Sequence, residues 1–230
     1  MSMIRWTDAF LNLLFPRSCA VCNGSLVKGE ESICTMCNSR MPRTNYHLQP
    51  HNEVEQRFWG KVEIERATSY FFYTKGSDYS RILHQLKYNG YKEIGEVMGR
   101  YMAKELLTSD FLQNIDLIMP VPLHSKKKKA RGYNQSEWIA LGLSHGTGIP
   151  MDLNVLKRVV PNSTQTRKSV FERWENVKDV FQVTCPESLQ GKHILLVDDV
   201  LTTGATLISC ATVLVETSNV KVSIITLAVA

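Results

Sequence analysis

The sequence predicts an α/β protein, a parallel sheet with flanking helices, preceded by a small four-cysteine unit. Three observations carry this. Strand-like and helix-like segments alternate with short connections beyond residue 60. Near the C-terminal end an apolar strand runs into an acid pair, a glycine turn and a helix. Four of the six cysteines stand as two Cys-x-x-Cys pairs within the first forty residues.

The opening, MSMIRWTDAFLNLLFP, sets Trp6, Phe10, Leu13 and Leu14 on one face at helical spacing and stops at Pro16. A short amphipathic helix packed against the body is expected. Asp8 and Asn12 interrupt the apolar stretch and no small-residue cleavage site follows, which argues against an export signal and for a cytoplasmic protein. Cys19-x-x-Cys22 and Cys34-x-x-Cys37 come next, eleven residues apart, with Gly24 and Gly29 suited to the connecting hairpin. Two such knuckles direct four thiolates at one point, a closed tetrahedral shell that suits structural Zn²⁺ and leaves no position for a catalytic water. Disulfides are the alternative, disfavoured without an export signal, and a redox dithiol needs one pair rather than two. Cys185 and Cys210 read as packing residues.

Residues 41–61 are irregular, so the boundary falls near residue 50, with a helix and ribbon over 1–50 and the α/β domain over 51–230. His47 and His51 read there as solvated loop histidines. Strands are expected at Glu65 to Tyr73, Asp116 to Val121, His193 to Val197 and Val220 to Leu227. Helices are expected around Tyr79 to Tyr88, Glu93 to Leu107, Asn134 to Gly142 and Ala205 to Glu216, with a basic loop after Val121.

The 230 residues, 43% hydrophobic and 21% charged, have a soluble globular composition, which excludes wholesale disorder and fibrous repeats. The longest apolar run, near Val222 to Ala230, is broken by Ser223 and Thr226 and falls far short of the ~20 residues of a membrane helix, so no membrane insertion is expected. Net charge is +5, and its distribution is uneven: Pro120 to Val180 holds eleven Lys/Arg against five Asp/Glu. The whole positive excess therefore lies in one stretch, an attractor for phosphates, pyrophosphates and nucleic acid backbones.

Ile194 to Thr206, ILLVDDVLTTGAT, is the most informative segment. Four apolar residues form a buried strand ending on Asp198 and Asp199; Thr202, Thr203, Gly204, Ala205 and Thr206 then turn the chain into a helix. Free backbone N–H groups and the positive end of a helix meet there, beyond the sheet's carboxyl edge. Gly204 permits close approach, the threonines add donors, and a phosphate monoester fits. The two carboxylates suit vicinal ribose hydroxyls or a divalent cation.

VDDVLTTGAT resembles the phosphoribosyl-pyrophosphate (PRPP) loop of type I phosphoribosyltransferases. LLFPRSCAVC, LKYNGYKEIGEVMG, MPVPLHSKKKKARGYNQSEWIA and LKRVVPNSTQTRKSVFERWENVKDVF resemble, in order, one branch of that superfamily, the ComF (ComFC/GntX) family of competence and DNA-uptake proteins. The resemblance covers nearly all of the chain. It implies a type I phosphoribosyltransferase-like domain in which Asp198 and Asp199 contact the ribose hydroxyls, as the catalytic pair if transfer occurs, and Thr202 to Thr206 hold the 5′-phosphate. It places a pyrophosphate loop after Pro120, where Lys129 and Arg131 are the candidate ligands, and a mobile cover over Asn162 to Lys178. Zinc and Mg²⁺ with PRPP are the implied cofactors.

The implied role is handling of incoming single-stranded DNA during natural transformation, with PRPP bound and a DNA-uptake helicase or other competence proteins as partners. Tyr133 and Trp174, set among cations, are either base-stacking residues or ordinary core or rim aromatics. The alternative is an active phosphoribosyltransferase, of the glycosyltransferase class, that moves ribose 5-phosphate to an unidentified nucleobase or other acceptor. Residues 60 to 110, where a base-reading hood belongs, show no base-reading motif, which favours PRPP binding over catalysis.

Overall fold

The computed structural model describes residues 17–88, 90–159 and 180–230. In chain order the elements are α1 (Thr35–Ser39), α2 (Glu53–Gln56), β1 (Ala67–Phe72), α3 (Ser80–Tyr88), α4 (Glu93–Leu106), β2 (Leu117–Pro120), α5 (Ser125–Arg131), α6 (Gln135–Thr147), β3 (Leu156–Arg158), β4 (Phe181–Val183), β5 (His193–Leu201), α7 (Ala205–Ser218) and β6 (Lys221–Val229). Strands β1, β6, β5 and β2 lie in that order in one all-parallel sheet, and β3 pairs with β4 antiparallel. Among the described residues no helix is long and apolar enough to cross a membrane.

Both faces of the sheet are covered, as the near-continuous apolar runs of β5 and β6 require. Successive strand residues point to opposite faces, and two cores result. Leu195 and Val197 of β5 join Ile225 and Leu227 of β6 beneath α3, α4 and α6, together with Cys19, Ala20, Val21 and Ile33 of the ribbon. Ile194, Leu196, Val222 and Ile224 join Leu207, Cys210, Ala211 and Leu214, which recur along one face of α7. Residues 42–44 run antiparallel along β1, with Thr44 N–H to Tyr70 O at 3.2 Å and Phe72 N–H to Pro42 O at 2.9 Å, and so cover the edge strand. The ribbon is latched to α3: Arg81 donates to Val21 O (3.0 Å) and Gln85 to Ala20 O (3.4 Å), while Tyr79 donates to Cys37 O (2.9 Å) just before the helix.

Several expectations need correction. The basic stretch after Val121 is helix α5, not a loop. His124 Nδ1 caps it by accepting Lys126 N–H at 3.2 Å, and Gly132, at φ +81°, closes it. Lysine is a good helix former, and Lys128, Lys129 and Arg131 sit in the last turn, where the helix dipole favours cations. Strand β5 does not end on the acid pair. It continues to Leu201, because β6 pairs with it as far as Val229. His47 is buried, not solvated, and Cys185 is exposed, not packed, whereas Cys210 is buried as expected. Tyr133 is buried with its hydroxyl on Leu86 O at 2.7 Å, so it is a core residue and stacks on no base. The opening helix, Trp174 and the whole of the expected cover over Asn162 to Lys178 lie outside the described residues.

Helices α4 and α6 meet backbone to backbone. A Cβ added at Gly142 would lie 2.9 Å from Gly99 Cα and well inside van der Waals contact distance of Glu96 O. One added at Gly99 would lie 2.9 Å from Gly142 Cα and would overlap Ile139 O. One turn away, Gly146 faces Ala103 and Gly95 faces Trp138 and Leu86, so the two helices interlock along stripes of small residues. Backbone atoms cannot give way as a flexible side-chain end can. Gly142→Ala is therefore expected to cost about 2–3 kcal/mol, the upper part of the overpacking range. For a domain of this size that is a fall of roughly 5–10 °C in Tm by calorimetry. Ala140→Gly, at a buried position of the same helix, serves as the control: it should cost only ~1 kcal/mol of helix propensity plus the lost methyl.

Candidate functional site

The sulfurs of Cys19, Cys22, Cys34 and Cys37 all lie within 4.8 Å of one another, with Cys22 and Cys34 at 3.9 Å. A tetrahedron with metal–sulfur bonds of about 2.3 Å has edges of about 3.8 Å, so the four are placed for Zn²⁺. Backbone N–H groups point at the sulfurs: Val21 and Cys34 on Cys19 (3.5 and 3.3 Å), Gly24 on Cys22 (3.4 Å) and Cys37 on Cys34 (3.4 Å). Burial pushes the Cys19 thiol up, but the N–H groups around it outweigh burial and bring it down to about 7. These contacts favour the thiolate of Cys19, the ligating form, whereas burial and the neighbouring sulfurs push the Cys37 thiol up. Among the described residues this is the one cluster of this kind.

The second site arises from unequal strand lengths. The last pairing of β2 with β5 is Pro120 with Val197, closed by Val121 N–H to Val197 O at 2.9 Å. Beyond it β5 keeps its partner β6 but has lost β2, so Asp198 and Asp199 face an opening at the carboxyl end of the sheet, where α/β proteins bind ligands. Asn134 fills the corner, donating to Val121 O at 2.9 Å and capping α6 through Ser136 N–H at 3.3 Å. The cap aims the first turn of α6 at β5. Ser136 Oγ donates to Asp198 Oδ1 at 2.8 Å, and the same oxygen accepts Asp199 N–H at 2.8 Å. Asp199 lies toward α3 and pairs with Lys87 Nζ at 3.0 Å. Burial, and then the neighbouring Asp199 charge, push the Asp198 carboxyl up to about 7; Ser136, the Asp199 N–H and Lys87 act the other way.

These groups line a cavity of about 210 Å³, open to solvent, to which Lys127, Arg131, Arg158 and Thr206 contribute. Arg131 donates to Gln135 Oε1 at 2.7 Å. Gln135 is buried, and its Nε2 has no hydrogen-bond partner among the described residues. At the floor, Gly204 adopts φ +79° as the N-cap of α7, and Thr202, Thr203, Ala205 and Thr206 stand exposed around it. Arg57, the C-cap of α2, holds this turn from behind, donating to Thr202 O and, at 2.9 Å, to Ala230 O.

The structure thus brings Asp198, Asp199, Arg131 and Thr206 to one cavity, with Thr202, Thr203, Gly204 and Ala205 forming the adjoining turn. Lys129 is on α5 but is not among the lining residues; its neighbour Lys127 is. Lys87, Ser136, Gln135, Arg158 and Arg57 were missed. Ser136 and Gln135 follow Asn134, whose capping signal was legible. Lys87, although inside the LKYNGYKEIGEVMG segment, and Arg57 carry no local sign of their roles, because each reaches a partner more than a hundred residues away.

Two family models match this chain, a double zinc ribbon domain over residues 10–48 and a phosphoribosyl transferase domain over residues 95–230. The DNA utilization protein YhgH of Salmonella typhimurium is 30% identical over 223 residues, 92% of this chain and 96% of that one. Competence protein F of Haemophilus influenzae is 26% identical over 205 residues, 82% of this chain and 86% of the relative. Competence protein ComFC of Bacillus subtilis is 27% identical over 215 residues, 93% and 84%. With four clustered cysteines ahead of a parallel sheet that carries the acid pair and glycine turn, the chain belongs to the ComF family of zinc-ribbon proteins with a phosphoribosyl transferase domain.

Proposed function

We propose that this protein acts in the cytoplasm in DNA uptake, binding PRPP with Mg²⁺ at the end of β5 and single-stranded DNA across α5. The observation that carries the PRPP reading is the acid pair set beside an open glycine turn in a cavity ringed by Lys87, Lys127, Arg131 and Arg158. Asp198 and Asp199 take the ribose hydroxyls, and the N–H groups and hydroxyls of Thr202 to Thr206 take the 5′-phosphate. Arg131 and Gln135 take the diphosphate, with Lys129 contributing charge from outside the cavity. Two carboxylates are hard oxygen donors of the kind Mg²⁺ uses beside substrate phosphates, and the metal would neutralise part of the diphosphate charge. The DNA reading is supported by the exposed cations of α5 and by relatives named for DNA utilization and competence. A helicase or another competence protein has exposed Val27 and Met36 of the ribbon available as a contact.

Zinc analysis of protein purified without chelator should find one zinc per chain, and Cys34→Ser should lose it and unfold the ribbon. Absence of metal from the wild type would overturn the structural role.

In isothermal titration with Mg²⁺ and PRPP, the double variant Asp198→Asn, Asp199→Asn should bind at least tenfold more weakly, each charged hydrogen bond being worth about 1.5–3 kcal/mol. The ligand prefers ionised Asp198, whose carboxyl titrates near 7. Affinity should therefore rise with pH through that value, and this component should vanish in Asp198→Asn. An unchanged affinity in the double variant refutes the assignment.

Oligonucleotide binding by anisotropy should weaken with salt at a log–log slope of about −0.7 per phosphate neutralised. Replacing Lys126, Lys127, Lys128 and Lys129 with alanine should flatten that slope while leaving zinc content unchanged. A base-salvage transferase would instead release diphosphate only when a nucleobase is added, with salt-insensitive or no oligonucleotide binding.

A further inference from the structure

An exposed aromatic ring beside a cationic surface offers an open face on which a planar group can stack. Tyr88, the last residue of α3, is 67% exposed, and Tyr91, beyond the turn, is 55% exposed. The preceding residue, Lys87, reaches into the cavity to Asp199, so Tyr88 stands at the rim on the adjoining face of the same helix. Two groups orient its ring. Arg131 has its Cζ 5.5 Å from the ring centroid, and His84, one turn earlier, lies 5.1 Å away at an angle of 46°. Arg131 also lines the cavity and holds Gln135. A single guanidinium therefore connects the anion-binding surface to an aromatic ring that remains largely open.

We propose that Tyr88 is a base-stacking platform for single-stranded nucleic acid, placed so that a strand whose phosphates lie on α5 lays a base against the ring. This rests on the reading of α5 as a phosphate-binding helix. The chemistry matches that of sequence-tolerant single-strand binders, in which a cationic track is paired with aromatic faces and arginine polarises the stack. Four consecutive lysines on α5, of which only Lys128 has an ion pair among the described residues, supply the track, and Arg131 ends it beneath the platform. The buried Tyr133 is excluded from this role, and the platform lies inside the LKYNGYKEIGEVMG segment, within residues 60 to 110 where no base-reading motif was recognised.

The test compares the full-length protein with Tyr88→Ala and Tyr88→Phe on a fluorescent oligothymidylate and on an abasic strand of equal length. The expected result is roughly tenfold weaker oligothymidylate binding for Tyr88→Ala, from the loss of one stacked base. Tyr88→Phe should stay within about twofold, since the ring face is kept. The abasic strand should bind all three proteins alike, and PRPP titrations should be unchanged in both variants. Equal oligothymidylate binding by wild type and Tyr88→Ala overturns the proposal, as does an equal loss on the abasic strand. If no protein binds either strand while PRPP still binds, the DNA reading fails and the proposal falls with it. If, with PRPP present, free adenine or guanine rather than a strand shows the dependence on Tyr88, the ring serves an acceptor base and the nucleic-acid assignment is overturned.

Discussion

The contact between Gly99 and Gly142 sets the distance between α4 and α6, and most of what matters in the site is measured from α6. With no Cβ on either side, the helices approach until main-chain atoms touch, and dispersion over the whole crossing rewards a closeness that larger residues forbid. That approach seats Ile139, Ala140 and Leu143 against the sheet. It also brings the first turn of α6 to β5, so that Ser136 meets Asp198 and Gln135 meets Arg131. A helix held further out would leave a carboxylate over an empty corner.

Electrostatics follows from this placement. Two adjacent carboxylates at a half-buried strand end repel each other, and the protein answers with a different partner for each: a neutral hydroxyl for Asp198, a cation for Asp199. One group is consequently poised to change protonation near neutrality, while the other has its charge compensated from α3. Lys127, Arg131 and Arg158 then leave the cavity wall with more positive than negative charge, the balance an anionic ligand requires.

Much of this was legible in the residues themselves. The cysteine spacing announced the metal cluster, and ILLVDDVLTTGAT announced strand, acids, turn and helix, because each is encoded within a dozen neighbouring positions. The four sheet strands were readable from apolar and β-branched runs, with ends off by a few residues. The end of β5 was misplaced because Asp is a poor strand former in isolation, and only pairing with β6 carries the ladder past it. Helix α5 was hidden by like charges that suggest a solvated loop, although His124 and Gly132 bracket it with ordinary capping geometry. The antiparallel strands β3 and β4 are too short for a period to show. Lys87, Arg57 and the open face of Tyr88 depend on which distant elements the topology brings together, and no local pattern contains that information.

The latches between ribbon and α3 carry a consequence for how the two halves communicate. Arg81 and Gln85 grip carbonyls of the first cysteine knuckle, and Lys87 and Tyr88 emerge from the next turns of the same short rod. One nine-residue helix therefore carries both the contacts that seat the ribbon and a cation of the cavity wall, so a substitution that displaces α3 disturbs two regions at once.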